Sequence, residues 1–132
     1  MIAGKRKLTA PHVDPETKEF WEAAENGKLV ARFCNSCEAY HYYPRTICPR
    51  CGDDDTEYRE ISGRGRIYSY SVMRRVPVPY AMAYVTLEGT DISMMTNIVD
   101  CDLDALEIGQ EVKVVFSETE EDGPPLPTFT PV

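Results

Sequence analysis

The sequence predicts a mainly β chain with one N-terminal helix, a small cysteine-stapled ribbon and a C-terminal barrel. Three observations predict it. Two C-x2-C knuckles, Cys34-Asn-Ser-Cys37 and Cys48-Pro-Arg-Cys51, stand across a short gap. A stretch with helical capping signals precedes them, and a series of short apolar segments punctuated by glycine follows. At 132 residues the chain fits one ordinary domain, which would bury roughly two-thirds of its unfolded surface, or two very small ones.

The first dozen residues are polar and aperiodic and read as an arm. Asp14 then offers a carboxylate at a helix N-cap, Pro15 suits the first helical position, and Glu16 and Glu19 complement the positive end of the helix dipole. Phe20, Trp21 and Ala24 form one narrow apolar face, and Gly27 can close the helix. So short a helix is marginal in water, so Phe20 and Trp21 need a surface, either the body of the protein or a partner. The arm and helix are assigned to residues 1–27.

Residues 28–56 read as a zinc ribbon. Lys28 to Phe33 has strand character and delivers the chain to the first knuckle, and Tyr40-His41-Tyr42-Tyr43 forms an aromatic return before the second. Four thiolates fill a tetrahedral site, whereas a catalytic zinc keeps one position open. Cys34, Cys37, Cys48 and Cys51 are therefore ligands of a structural ion. Zinc is the first expectation, and spacing alone does not separate it from iron. Gly52 suits a turn with positive φ after the last cysteine. Asp53-Asp54-Asp55 reads as a solvated loop.

From residue 57 the pattern is β throughout. Arg66 to Met73, Tyr80 to Leu87, Ile92 to Val99 and Glu111 to Phe116 read as strands, punctuated by Gly63, Gly65, Gly89 and Gly109, with a short helical candidate at Asp102 to Leu106. Short strands at this spacing suggest a small barrel of the OB-fold type over residues 57–132. Pro124-Pro125-Leu126-Pro127 is expected to force an extended tail that ends in Phe129-Thr130-Pro131.

Charge is unevenly spread. Residues 1–75 hold 13 Lys and Arg against 11 Asp and Glu, whereas residues 76–132 hold only Lys113 against 11 acids, for a formal net charge of −8. An acidic half repels a phosphate backbone, so general nucleic-acid binding is disfavoured. A basic strip at Arg59, Arg64, Arg66, Arg74 and Arg75 could hold one anionic group. No apolar run approaches a membrane span and no signal-peptide core follows Lys5-Arg6-Lys7, so a soluble chain in a reducing cytoplasm is expected.

The chain resembles a family of small proteins with an N-terminal helix, a rubredoxin-like zinc ribbon and a C-terminal OB-fold, found as partners of thiolase-superfamily enzymes. The resemblance runs from about Pro15 onward. It rests on Phe20-Trp21, the knuckles with Tyr43-Pro44-Arg45 between them, Ser62-Gly63-Arg64-Gly65-Arg66-Ile67-Tyr68-Ser69-Tyr70, Pro79-Tyr80, Ile108-Gly109-Gln110-Glu111-Val112 and Phe129-Thr130-Pro131. It implies a noncatalytic accessory subunit that assembles with a thiolase-like or aldolase-like enzyme and helps shape its acyl-CoA site. Under that reading Arg64, Arg66, Arg74 and Arg75 are candidates for CoA phosphate or partner contact, since guanidinium forks suit phosphate. Phe20, Trp21, Tyr80 and Phe129 are further candidates for partner contact. Tyr40-His41-Tyr42 stands where the family usually has a small or aliphatic residue.

Other chemistry is weak in the sequence. Cys101 lies among Asp100, Asp102 and Asp104, which disfavour a thiolate, and reads as a structural thiol. Asp100, Asp102, Asp104 and Glu111 mimic a calcium loop, but Ala105 stands where that loop requires glycine. His12 and His41 are the only histidines; His12 falls in the arm and His41 reads as a surface or outer-shell residue. The rival reading is a single-stranded nucleic-acid binder, with Tyr40, Tyr42, Tyr43, Tyr68 and Tyr70 as a stacking platform.

Overall fold

A computed structural model describes residues 1–132. Helix α1 (Lys18–Glu25) is preceded by a turn in which Asp14 Oδ1 accepts from the Thr17 amide and hydroxyl, each at 3.0 Å, while the Asp14 amide donates to Thr17 Oγ1 at 3.3 Å. Asp14 thus closes this turn reciprocally, in the pattern of a capping box with threonine in the position usually held by glutamate, while the helix N-cap is Thr17 rather than the expected Asp14. At the other end the Lys28 amide bonds Ala23 O and the Gly27 amide bonds Ala24 O, with Gly27 at φ 74°. This is a Schellman closure, and the glycine expected to end the helix makes it possible.

Strands β1 (Val30–Cys34), β2 (Ala39–His41) and β3 (Thr56–Glu60) form an antiparallel sheet in the order β2-β1-β3. The register pairs Val30 with Glu60 and Cys34 with Thr56. Residues 57–60, read with the barrel, pair with β1 as the outer strand of the ribbon sheet.

The barrel is closed, in the order β4-β5-β6-β8-β7, from β4 (Arg64–Met73), β5 (Tyr80–Leu87), β6 (Ser93–Ile98), β7 (Glu111–Ser117) and β8 (Leu126–Pro131). A 3-10 turn at Leu103–Ala105 occupies the place of the expected short helix. The proline-rich tail is itself a strand. Antiparallel to β7, β8 places Phe129 opposite Val114, and Phe129 O accepts from the Val99 amide at 2.8 Å to join β6. Closing the barrel removes the sheet edges that five strands would otherwise leave open.

One apolar core runs from Phe20, Trp21, Ala24 and Leu29 into Ile67, Val85, Met94, Val112 and Phe129. Phe20, Trp21 and Phe129, candidates for partner contact, are 1%, 4% and 0% exposed. That expectation is corrected: their rings supply the surface that the helix and barrel need to bury. The arm also differs from expectation. The Ala3 amide bonds Cys101 O, the Glu120 amide bonds Leu8 O, and Arg6 stacks 3.7 Å over the Tyr80 ring.

Candidate metal centre and surrounding residues

Cys34 ends β1, and Cys37 follows on the turn into β2; Cys48 and Cys51 lie on the second turn, before β3. The four sulfurs lie within 4.8 Å of one another, with Cys34 Sγ 3.6 Å from Cys51 Sγ and Cys37 Sγ 3.7 Å from Cys48 Sγ. A tetrahedron with metal–sulfur bonds of about 2.3 Å has edges of about 3.8 Å. The donor set and its spacing therefore fit one four-coordinate ion. Cys34 and Cys48 are buried, while Cys37 and Cys51 face solvent.

Local electrostatics prepare the site unevenly. Amides of Cys51 and Arg50 aimed at Cys48 Sγ, the latter at 3.4 Å, hold that thiol down to about 7. Desolvation, followed by its bonds to the other three sulfurs, pushes Cys37 up to about 12. Thiols this close resist joint ionisation, and a divalent cation reverses that balance by stabilising every thiolate.

The three aspartates are exposed, as a solvated loop predicts, and two of them, Asp53 and Asp55, lock the two knuckles together. Asp53 accepts from the Ser36 hydroxyl and from the amides of Asp54 and Asp55, at 2.7 and 3.3 Å, and its carbonyl accepts from the Cys48 amide at 2.8 Å. The Ser36 bond is the chief reason its carboxyl sits below the ordinary range. Asp55 O accepts from the Asn35 amide at 2.9 Å, so both knuckles are cross-tied. The only sequence signal for this was the position of the aspartates directly after Cys51.

His41 is buried, with Nε2 facing the Arg45 amide at 3.2 Å and Arg45 O at 3.1 Å. Desolvation lowers its pKa, so the imidazole stays neutral and shapes the return between the knuckles. Of the surface and outer-shell roles expected for it, burial removes the first. Cys101 is half-buried and its thiol is raised, by desolvation first and by Asp100 and Asp102 after that. The calcium-like acids diverge: Asp102 and Asp104 hold the Met1 amine at 2.8 and 2.7 Å, and Glu111 pairs with Arg66 at 2.7 Å.

The arginine strip is dispersed. Arg64 begins β4 and Arg74 follows its last residue, about 30 Å away along the strand at about 3.3 Å per residue. Arg74 pairs with Asp104 at 2.6 Å, Arg66 pairs with Glu111, and Arg59 lies over the Phe33 ring at 3.7 Å. Arg64 and Arg75 join no ion pair. Nor do the tyrosines form one platform. Tyr42 and Tyr43 pack on Phe20, Tyr40 packs on Phe33, and the Tyr70 hydroxyl donates to Leu106 O at 2.8 Å. Only Tyr68, 67% exposed, stands clear.

A four-thiol ribbon able to hold one metal ion, joined through one apolar core to a five-stranded OB barrel, defines the class of fold. Residues 21–57 match the rubredoxin-like zinc ribbon domain of ChsH2, and residues 58–117 match the ChsH2 C-terminal OB-fold domain. The chain belongs to this ChsH2, or DUF35, family. A DUF35 domain-containing scaffold protein of Methanothermobacter thermautotrophicus is 36% identical over 82% of this chain and 86% of its own length. One from Methanocaldococcus jannaschii is 38% identical over 72% of each. A probable enoyl-CoA hydratase alpha subunit of Thermomonospora curvata is 34% identical over 92% of this chain, which spans only 39% of that longer protein. Among solved structures, a chain of an Ltp2-ChsH2(DUF35) aldolase superposes with a TM-score of 0.79 at 32% identity, over 92% of this chain and 98% of that one. No helix is long and apolar enough to cross a membrane.

Proposed function

We propose that this chain is a noncatalytic accessory subunit of a thiolase-superfamily enzyme acting on acyl-CoA thioesters, needed for assembly of the complex and for ordering its acyl-CoA site. The observation that carries the reading is the likeness, over 98% of its length, to the ChsH2(DUF35) chain of an aldolase complex. Relatives named as scaffold proteins and as a subunit of an enoyl-CoA enzyme support it. So does the chain's own chemistry. Its four clustered thiols suit a closed site, His41 is neutral and engaged by backbone, and the raised Cys101 thiol is a poor nucleophile.

The ion in this reading is zinc, held by Cys34, Cys37, Cys48 and Cys51; it supplies a cross-link between the knuckles. The chain's own residues do the rest. Helix α1 docks on the ribbon through Trp21 Nε1, which donates to the Tyr43 hydroxyl at 3.2 Å, and Tyr58, whose hydroxyl donates to Glu16 O at 2.9 Å. Arg50 and Asp91, 2.7 Å apart, tie the second knuckle to the β5–β6 turn. A rigid body of this kind can cover a partner's site and exclude water while reactive groups reside in the partner. Of the four candidate arginines, Arg64 and Arg75 are free of internal carboxylates and available to a CoA phosphate or an acidic partner group. Location in the cytoplasm belongs to the same reading.

Affinity purification of the chain from its source cells, with mass spectrometry of the co-eluting polypeptide, tests this. A thiolase-fold enzyme in stable association is expected. Elution as a lone monomer, or steep salt-dependent binding to a single-stranded oligonucleotide, would contradict it.

A further inference from the structure

On the outward face of β4, β5 and β6 the charged side chains, Arg64 and Arg66, stand at one end, and the rows beyond them are uncharged. Register places Ser69, Tyr84 and Met95 side by side, with Met82 and Asn97 in the next row. Their neighbours Ala83, Val85, Met94 and Thr96 point into the barrel and are buried. Tyr84 is 45% and Met95 57% exposed, and Tyr68 bulges out beside them. In a chain of which 27% is charged, Tyr68, Tyr84, Met82 and Met95 leave an aromatic and thioether patch in the middle of this face, of the size that often serves binding.

The ends of this face carry the complementary signal. Arg64 lies at one end of β4, and Arg75 lies just past the other. Arg6 sits over Tyr80 beside Asn97, to whose Oδ1 it donates at 3.3 Å. None of the three joins an ion pair, although the chain carries 22 acids. Guanidiniums left unpaired around an apolar centre match the usual anatomy of a protein interface, with desolvated anchors inside and polar groups at the rim.

We infer that the outer face of β4, β5 and β6, centred on Tyr84 and Met95, is where the acyl-CoA enzyme subunit docks, through an apolar patch flanked by carboxylates. This rests on the function proposed above and adds the surface. A second copy of the chain fits poorly. An antiparallel pairing of two such faces would set Arg64 against Arg75 between bodies of net charge −8 each. Nucleic acid fits poorly as well, since the unpaired guanidiniums stand at opposite ends of the face rather than along a track.

The test measures binding of the purified enzyme subunit, identified as above, to wild-type chain and to Met95→Lys, Tyr84→Ser and Arg64→Glu/Arg75→Glu variants. Melting curves verify that each variant is folded. Met95→Lys and Tyr84→Ser are expected to weaken binding by roughly tenfold or more, as loss of a buried anchor does. The double charge reversal should mainly slow association. Ile47→Lys, a matched change at an exposed ribbon residue, should leave affinity within about twofold, as surface changes away from hot spots do. Wild-type affinity in folded Met95→Lys overturns the docking face while leaving the subunit role standing. Failure of wild-type chain to bind any acyl-CoA enzyme overturns both. A wild-type homodimer or oligonucleotide complex that Met95→Lys abolishes would assign the face to another occupant and overturn the inference.

Discussion

Cys34 Sγ lies 3.6 Å from Cys51 Sγ, although the two residues belong to different knuckles and stand 17 apart in sequence. Only an ion holds four sulfurs at such distances once they ionise, and binding of a structural zinc is worth about 10 kcal/mol or more of folding free energy. Purified chain is expected to be colourless and to carry one zinc. Stripping the ion with a chelator should make the amides of β1, β2 and β3 exchange rapidly while the barrel strands keep their protection. Unchanged protection in the ribbon would contradict the structural role, and a red protein absorbing in the visible would identify iron.

Asp53 ties the second knuckle to Ser36 in the first, so Asp53→Ala removes a clamp without touching a ligand. Partners that orient metal ligands typically account for a 10- to 100-fold difference in affinity, and a loss of about tenfold is expected in a chelator competition. Its depressed carboxyl pKa means that its stabilisation is present above the unfolded value and disappears as pH falls through the folded one. Unaltered metal retention in Asp53→Ala would sink the clamp.

His41 titrates in the opposite sense. Its folded pKa lies below 6.5, so on acidification the unfolded chain takes up a proton first and stability falls as pH drops through 6.5 toward the folded value. Above about pH 7 the group contributes no pH dependence. With metal saturating, wild type should lose more melting temperature between pH 7 and pH 5.5 than His41→Gln. Parallel curves for the two would show that the imidazole is not held neutral.

Gly65 sits in β4 between β5 and β7, where an added Cβ would meet Thr86 O at 2.5 Å and Val85 Cγ1 at 2.7 Å. The missing side chain thus lets the neighbouring strand approach closely. Gly65→Ala should destabilise the chain by about 1–3 kcal/mol through overpacking, read from denaturant melts. A wild-type midpoint would contradict this packing.

What could be read from the sequence was local. Knuckle spacing names the thiols because ligand bite is set within a few residues, and Asp14 and Gly27 mark the helix because capping is a short-range matter. Four barrel strands announced themselves by pattern. Long-range pairing was hidden. Nothing in Thr56–Glu60 says that it belongs with β1 rather than the barrel, and the prolines of Leu126–Pro131 conceal a strand whose Phe129 fills the core. Arginines that look clustered along the chain become separated once β4 is extended. Phe20 and Trp21 posed a question of burial that only packing could answer. The face around Tyr84 and Met95 emerges from register, since neither residue is unusual within its own strand.

The most direct test compares turnover of an acyl-CoA thioester by the isolated zinc-loaded chain, by the isolated partner enzyme and by the two combined. A metal-braced scaffold predicts no turnover by the chain, little by the partner, and full activity only from the mixture. Enzymatic turnover by the chain alone would contradict it.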